Sequence, residues 1–200
     1  MFAHPARHHA GFSLVEVLVA IVVLSFGLLG MVGLQAFALQ ANREARLQSD
    51  AVGLVRELAE QMRGNKDIAI GSAGNPYLGQ LASPLTHATP SYCLNATASQ
   101  PCAGAVAIGA AQMTEWLARV DTLLPGARVS VCLDAKPYDA AGLPVWDCTA
   151  GGADGVVVVK LGWTRLGAGP AGEAAPGIER TSDRDSRPQL VLPVTPGSSL

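Results

Sequence analysis

The stretch GFSLVEVLVAIVVLSFGLLGMVGLQAFAL, residues 11–39, decides how this chain is built. Glu16 is its single ionisable side chain, and residues 17–39 carry no charge. About 20 apolar residues, at a helical rise of about 1.5 Å each, cross a hydrocarbon core about 30 Å thick. The stretch therefore predicts a membrane-spanning helix. A carboxylate inside such a helix is costly at bilayer depth unless it is paired, so Glu16 is a candidate functional residue.

A cleaved secretory signal is the alternative interpretation of this stretch. Ala36-Phe37-Ala38 supplies an A-x-A cleavage pattern, and a cut there would leave Leu39 as the first residue of the mature protein. The apolar region of a signal usually runs for only about 7–15 residues, however, and this one is longer. We therefore favour a helix that the mature protein retains.

The helix is predicted to continue beyond the apolar stretch. One stripe of apolar side chains recurs every three or four residues, as expected for one face of a helix: Leu47, Ala51, Leu54, Leu58 and Met62. Gly64-Asn65 then supplies a stop signal. The sequence predicts one helix over residues 13–63, with a lipid-facing first half and a second half that packs on a domain.

The rest of the chain predicts a small mixed domain. Residues 64–105 are rich in Gly, Pro, Ser, Thr and Asn, which indicates a loop with at most one short element. The pattern after that loop predicts a helix over 110–124, strands over 128–133, 156–165 and 189–194, and a long polar loop over 167–188. Strands that follow a long helix without βαβ alternation predict an α+β fold with an antiparallel sheet.

Four cysteines follow the apolar stretch: Cys93, Cys102, Cys132 and Cys148. An even number of cysteines after a membrane signal indicates an oxidising compartment and two disulfides. Three connectivities are possible, and we favour sequential pairing because each sequential pair brackets a short loop that contains Pro or Gly. Zinc is disfavoured because there is no C-x-x-C, and His87 is the only histidine beyond residue 11.

Signatures of enzymes are sparse. The sequence has no nucleophile elbow, P-loop, zinc-protease motif or dinucleotide fingerprint, so we expect no catalytic residue, cofactor or metal.

His87 is interpreted as a surface histidine. Four aspartates in turns do not fit a calcium-binding loop and are interpreted as solvated carboxylates: Asp134, Asp139, Asp147 and Asp154. Three tryptophans are interpreted as anchors of the core and of loops: Trp116, Trp146 and Trp163. A net charge of -2 without a basic face argues against a nucleic-acid partner.

Glu16 acquires a partner if the chain is cut after Gly11. The new α-amino group, on Phe12, would then lie four residues before Glu16 on the same helix face. In a packed array of such helices, the amine of one subunit could equally neutralise the carboxylate of another. A buried pair of this kind serves the specificity of packing more than raw stability.

These residues resemble the class III signal and N-terminal helix of type IV prepilins and pseudopilins. The shared features are a short basic leader, a glycine, an aromatic residue and a glutamate five positions past the glycine, and they cover residues 1–45. The resemblance implies that a prepilin peptidase cuts between Gly11 and Phe12 on the cytoplasmic side and N-methylates Phe12. It also implies that Glu16 pairs with a neighbour's amine during assembly.

Within that family, VLVAIVVLSFGLLGMVGLQAFALQANREA (residues 17–45) is similar to the type IV pilus modification proteins, the PilV-type minor pilins. The resemblance implies a non-enzymatic role in assembly or priming of a type IV pilus, and in the adhesion or twitching motility that the pilus supports. The partners it implies are prepilin peptidase, other minor pilins, the major pilin, a pilus-tip adhesin and inner-membrane lipid. Two alternatives remain open: a pseudopilin of a type II secretion system, and a membrane-anchored periplasmic binding module.

The expected organisation has four parts. They are a prepilin leader over 1–11, a transmembrane and filament-core helix over 12–39, an amphipathic continuation over 40–63 and a periplasmic α+β head domain over 64–200. The cysteines and the resemblance place the head domain in the periplasm, because basic residues are too few to set the orientation on their own.

Overall fold

A computed structural model describes residues 11–71, 73–86, 89–95, 97, 99–150, 156–167, 177–183 and 185–197. The chain divides into two compact units, which meet in the sequence between Glu44 and Ala45. Among the described residues, the first unit consists of helix apart from residues 11–13, and the second contains the end of that helix and the strands.

Helix α1, Leu14–Gly64, is continuous, which confirms the long helix predicted over residues 13–63. Its C-terminal part belongs to the second unit, where the predicted stripe is buried. Ala51, Leu58 and Met62 have no exposed surface, and Leu54 keeps 4%. Leu47 is partly buried against the same core.

The segment after α1 holds more regular structure than the sequence predicted. A short helix α2 (Lys66–Ala69), strand β1 (Gly79–Ala82) and a 3₁₀ turn (Tyr92–Leu94) lie in the region that we expected to be loop. Strand β1 was missed because its sequence, GQLA, has no β-branched or aromatic residue. It forms through pairing with a neighbouring strand and not through its own propensity.

Helix α3, Ala105–Leu123, begins five residues before the start predicted from the apolar pattern. Val106 and Ile108, the large apolar residues of the first turn, are exposed and lie only two residues apart. They therefore do not continue the spacing of three or four residues from which the helix was predicted. Gly104 adopts a φ of 91° immediately before the helix, a conformation that favours glycine. The helix ends before Pro125-Gly126, as the sequence predicted.

The sheet is four-stranded and antiparallel throughout. Strands β2 (Arg128–Asp134), β3 (Val156–Gly162) and β6 (Leu190–Val194) join β1 in the order β1-β2-β3-β6. The strand predicted over residues 156–165 stops at Gly162 and resumes as β4 (Arg165–Gly167), which pairs with β5 (Gly177–Glu179) in a separate hairpin. The predicted loop over 167–188 therefore contains a strand.

One face of the sheet carries the hydrophobic core of the second unit. Side chains from β2 and β3, among them Val129, Val131, Val159 and Leu161, pack with the buried stripe of α1 and with α3. Trp116 is fully buried in this core, and its indole N–H donates to the Leu54 carbonyl at 2.8 Å. The fold is the predicted one, a long N-terminal helix with a small antiparallel sheet.

The other face of the sheet is contacted by residues 135–150, the described part of the connection between β2 and β3. The Arg128 guanidinium carbon lies 4.3 Å from the centroid of the Trp146 ring. The same ring packs against Gly162. A Cβ atom at Gly162 would come within 2.9 Å of the Trp146 ring, so this contact requires glycine. All three tryptophans are buried, as predicted.

Candidate functional site

The N-terminal candidate residues lie where helix α1 begins. Gly11, Phe12 and Ser13 are not helical, and Leu14 is the first helical residue. The Ser13 carbonyl accepts the first hydrogen bond of the helix, from the Val17 amide at 3.2 Å. Ser13 therefore occupies the N-cap position, and the peptide bond after Gly11 lies in non-helical backbone ahead of the helix.

Glu16 is the acidic residue of the first turn of α1. The unsatisfied amides and the positive end of the helix dipole favour a carboxylate at this position. Ser13 and Glu16 also have the S-x-x-E spacing of a capping box, a signal that our sequence analysis did not use. The location of Glu16 is thus consistent with helix initiation as well as with intermolecular pairing.

Glu16 shares a helix face with apolar side chains. A shallow groove along this face is lined by Phe12, Glu16, Val17, Ala20, Ile21 and Leu24. Phe12 and Glu16 therefore lie on the same side of the chain, one turn apart. Any apolar neighbour that covered this face would enclose the Glu16 carboxylate as well, and an enclosed carboxylate needs a positive partner.

The apolar side chains of residues 12–39 are exposed in the isolated chain. Phe12 and Leu14 keep 83% and 84% of their surface, and Leu39 keeps 71%. Within the described residues, one helix, Leu14–Gly64, is long and apolar enough by length and composition to cross a membrane. Exposure of this extent requires a cover of lipid or of other apolar helices.

Two disulfides brace the second unit. Cys93 bonds to Cys102 and Cys132 bonds to Cys148, which is the sequential pairing. The first disulfide ties the 3₁₀ turn to the segment just before α3, and the second ties β2 to the connection that covers the sheet. Asp134 lies near the second disulfide, but both sulfurs are oxidised there and offer no thiolate to a metal.

A buried ion pair lies beneath the same connection. Lys160 Nζ is 2.5 Å from Asp134 Oδ2, and neither side chain has exposed surface. Lys160 also donates to the Asp147 carbonyl at 2.7 Å, while Asp134 Oδ1 accepts from the amides of Lys136 at 2.9 Å and Thr149 at 3.1 Å. Our interpretation of Asp134 as a solvated turn carboxylate is therefore wrong. Asp134 is the last residue of β2, and residues 135–150 fold back over this strand. The sequence alone does not reveal that contact.

The environment of Asp134 acts on its pKa in two directions. Burial alone would raise the pKa of this carboxyl, because it disfavours the charged form. Hydrogen bonds from Lys160 and from the amides of Lys136 and Thr149, together with the Lys160 charge, lower the pKa and outweigh the burial. The net pKa of Asp134 lies below the usual value, so this carboxyl group is ionised at neutral pH.

Asp139 is held in a turn of the same connection. Its carboxylate accepts from the amides of Ala141 and Leu143, each at 2.9 Å, and pairs with Arg187 at 2.8 Å. The Leu143 hydrogen bond contributes most to lowering the pKa of Asp139. The backbone carbonyl of Asp147 accepts the hydrogen bond from the Lys160 ammonium group described above. His87 and Asp154 lie outside the described residues.

Two family models match the chain. The prokaryotic N-terminal methylation motif matches residues 6–32, and the model of type IV pilin Tt1218 matches residues 33–122. No curated protein and no solved structure matches the chain. The two matched segments adjoin and together include the start of α1, the rest of α1, and nearly all of α3.

The matches agree with the geometry that the structure describes. The methylation motif falls on the glycine, the aromatic residue and the first-turn glutamate, and the pilin model falls on the helices and on strand β1. Type IV pilins are structural proteins, and a long N-terminal helix followed by a small antiparallel sheet is the fold found here. The chain is therefore a type IV pilin-like protein.

Proposed function

We propose that the chain is a PilV-type minor pilin that takes part in the assembly or priming of a type IV pilus. One observation carries the proposal: Glu16 lies in the first turn of α1, between the non-helical residues Gly11 and Phe12 and the uncharged, exposed apolar stretch over residues 17–39. The match to the methylation motif over residues 6–32, which includes these residues, supports the pilin part of the proposal. Residues 1–11 would be the leader, and residues 12–39 would be the span and later the filament core.

Processing is the first step that we propose. A prepilin peptidase would cut between Gly11 and Phe12 on the cytoplasmic side and N-methylate the new amino group. The non-helical backbone at these residues supports this step, because a protease can bind a non-helical segment without unwinding a helix. The amine produced in this way would be the positive partner that Glu16 otherwise lacks.

Assembly is the second step. The Phe12 amine of one subunit would meet the Glu16 carboxylate of a neighbour when their apolar helices pack together. A carboxylate enclosed by apolar helices without a counter-charge costs several kcal/mol, on the order of the penalty for a buried unpaired ion. Only a register that places amine against carboxylate avoids this cost. The pair would therefore select the axial position at which each subunit enters the filament.

The head domain would face the periplasm before assembly. Two disulfides fit an oxidising compartment, and they support this orientation. In this role the protein turns over no substrate. Its surfaces would contact other minor pilins, the major pilin and a pilus-tip adhesin, while inner-membrane lipid would cover residues 12–39 until assembly.

Substitution of Glu16 tests the proposal. We expect Glu16→Ala and Glu16→Gln to reduce the amount of this protein in sheared pili at least tenfold, because neither side chain can neutralise an amine. Glu16→Asp should retain more incorporation, since it keeps the charge. Glu44→Ala is the matched control, a glutamate of the same helix beyond the apolar stretch. Normal incorporation of Glu16→Ala, with an unchanged number of pili, would contradict the assembly role of Glu16.

The sheared-pilus fraction also distinguishes a minor pilin from a pseudopilin of a secretion system. A minor pilin should be present in pili sheared from wild-type cells, and its deletion should change pilus number. A pseudopilin of a type II secretion system should be scarce in that fraction, and its deletion should block protein secretion with pilus number unchanged.

A further inference from the structure

The Cys132–Cys148 disulfide lies beside the buried ion pair. Strand register places Lys160 of β3 opposite Ser130 of β2. Cys132 and Asp134 follow Ser130 at alternate positions of β2, so the three side chains point to the same face of the sheet. The Lys160 side chain therefore extends past Cys132 to reach Asp134 Oδ2, which is 2.5 Å from Nζ. The disulfide and the ion pair share one patch of the sheet.

The two residues on either side of Cys148 complete the hydrogen bonding of the ion pair. The Asp147 carbonyl accepts from the Lys160 ammonium at 2.7 Å. The Thr149 amide donates to Asp134 Oδ1 at 3.1 Å. Cys148 lies between these two residues, and its disulfide ties them to β2. One covalent bond therefore holds in place a backbone group for each of the two charges.

A single layer of chain separates the ion pair from solvent on this side. Neither side chain of the pair has exposed surface, whereas Asp147 and Thr149 are themselves exposed residues. The layer consists of residues 147–149. Desolvation of two charges is costly, and a buried ion pair offsets that cost only while its other hydrogen-bonding positions are satisfied. Hydration of the pair therefore competes with closure of the layer.

We propose that the Cys132–Cys148 disulfide is a redox switch that encloses the Asp134–Lys160 pair. Without this bond, residues 147–149 are held by non-covalent contacts alone, and water reaches both charges. With the bond formed, the two backbone groups stay on the pair and the pair stays dry. The first disulfide, Cys93–Cys102, lies at the 3₁₀ turn and makes no such contact with the pair.

Closure of the switch is a two-electron oxidation. The Cys132 and Cys148 thiols lose two electrons and two protons as the S–S bond forms. A disulfide oxidant takes them up while its own S–S bond is converted to two thiols, and a dithiol reductant reverses the step. Both cysteines are partly exposed, which gives the oxidant access.

The switch acquires a role if the head is exported, as proposed above. A chain made in a reducing cytoplasm carries free thiols, and its disulfides form in an oxidising compartment. The ion pair would then be enclosed only after the head had crossed the membrane, so the head could not complete its fold before export. This role rests on the proposed function, whereas the switch itself does not.

Acetylation of lysine side chains measures the enclosure directly, because the chain has three lysines of different exposure. Lys66 and Lys136 are exposed, and Lys160 is fully buried. The full chain in detergent is treated with an amine-acetylating reagent, and mass spectrometry follows the rate at each lysine. In the oxidised protein we expect Lys160 to react about a hundredfold more slowly than Lys136.

Removal of the bond should expose Lys160. In Cys132→Ser/Cys148→Ser we expect its acetylation to accelerate by about tenfold or more, with the rates of the other two lysines unchanged. Cys93→Ser/Cys102→Ser is the matched control, because it removes the other disulfide of the same unit. In this control Lys160 should stay protected.

Hydrogen exchange of the Trp116 indole N–H, which donates to the Leu54 carbonyl in the core, reports whether each variant is folded. The proposal is overturned if Lys160 reacts as fast as Lys136 in the oxidised protein, or if Lys160 stays protected in folded Cys132→Ser/Cys148→Ser. Equal exposure of Lys160 in both disulfide variants would also overturn it, because the bond would then only stabilise the unit as a whole.

A further variant covers the case in which Cys132→Ser/Cys148→Ser does not fold. Asp134→Asn and Lys160→Met are added to it, which removes both charges and keeps an oxygen at position 134 that accepts from the same amides. We expect this neutral chain to fold without the disulfide, because no charge has to be enclosed. A neutral chain that also fails to fold would overturn the proposal. These measurements use purified protein, so their outcome is independent of the Glu16 incorporation experiment.

Discussion

At the scale of single residues, two carboxylates pose the same electrostatic problem. Asp134 is fully buried and has its counter-charge in the chain, the Lys160 ammonium at 2.5 Å. Glu16 lies among apolar side chains that require a cover, and its proposed counter-charge belongs to another subunit. Desolvation makes an unpaired charge expensive in both places. Asp134 therefore contributes to the stability of the second unit, whereas we propose that Glu16 acts at the contact between subunits.

Breaking the Asp134–Lys160 pair on one side should destabilise the head strongly. Lys160→Ala leaves a buried carboxylate without its partner, and we expect a loss of about 3–5 kcal/mol in the free energy of unfolding. Urea denaturation followed by tryptophan fluorescence measures it, since all three tryptophans are buried in the head.

Arg46→Ala is the matched control for that substitution. It breaks the Arg46–Asp50 pair, whose arginine is 83% exposed. Exposed pairs contribute about 0–1 kcal/mol, so the control should unfold nearly like wild type. A loss below about 1 kcal/mol in Lys160→Ala, similar to the control, would show that the pair is not desolvated as the structure has it.

The same pair predicts a dependence on acid pH. The pKa of Asp134 is lowered in the folded state, and the unfolded value is about 3.9. The folded pKa is the lower of the two, so the stabilisation is complete above about pH 4 and is lost as the pH falls through the folded pKa.

Stability measured in a pH series tests this expectation. The difference in unfolding free energy between wild type and Asp134→Asn should be largest near neutral pH and should shrink below about pH 4. Asp50→Asn, on the surface of α1, serves as the control and should track wild type throughout. A wild-type advantage over Asp134→Asn that stayed constant down to pH 2 would contradict the assignment.

At the scale of elements, two helical glycines have opposite surroundings. A Cβ atom at Gly109 of α3 would come within 2.8 Å of Pro76 and 3.2 Å of Tyr77. At Gly53 of α1 the same atom would meet nothing within 4 Å. Gly109 lets the segment after α1 approach α3 closely, whereas Gly53 only lowers the intrinsic stability of its helix.

Alanine substitutions should therefore change stability in opposite directions. Gly53→Ala should stabilise the helix by about 1 kcal/mol, the intrinsic difference between the two residues. Gly109→Ala should destabilise the head by about 1–3 kcal/mol, because a rigid proline ring cannot yield without moving the backbone. Midpoints of thermal unfolding give both signs in one experiment. An increase in both variants would mean that Pro76 does not pack on α3 as described.

The elements that the sequence predicted were those whose own residues encode them. Helix α1 and strands β2, β3 and β6 carry strong apolar or β-branched patterns, and each was found within a few residues of its predicted bounds. Strands β1 and β5, GQLA and GIE, carry little intrinsic preference and exist through their pairing partners. Pairing depends on contacts between distant parts of the chain, which local patterns do not contain.

The residues of interest likewise divide into those that a local motif reveals and those that only contacts between distant parts of the chain bring together. Gly11, Phe12 and Glu16 were identified from a motif that lies within six residues of sequence. The Asp134–Lys160 pair was missed because 25 intervening residues separate its members, and only the fold-back of the covering connection buries them together.

At the scale of the whole molecule, the buried core belongs to the second unit alone. Its buried apolar residues begin at Ala51 and end at Val194, while the described apolar residues of the first unit, from Phe12 onward, are exposed. We therefore predict that a fragment starting at Ala45 is monomeric without detergent and unfolds cooperatively on heating. Circular dichroism and size-exclusion chromatography measure both properties. A fragment that aggregates or melts without a transition would show that residues 12–44 are needed for the head to fold.

The mature N-terminus is the most direct test of the central claim that Gly11 and Glu16 act together. The measurement is mass spectrometry of this protein recovered from sheared pili. We predict a first residue of N-methylated Phe12, with the leader absent and Glu16 retained. A chain that begins at Leu39, as a cleaved secretory signal would leave it, or that retains residues 1–11 in the filament, would contradict the account.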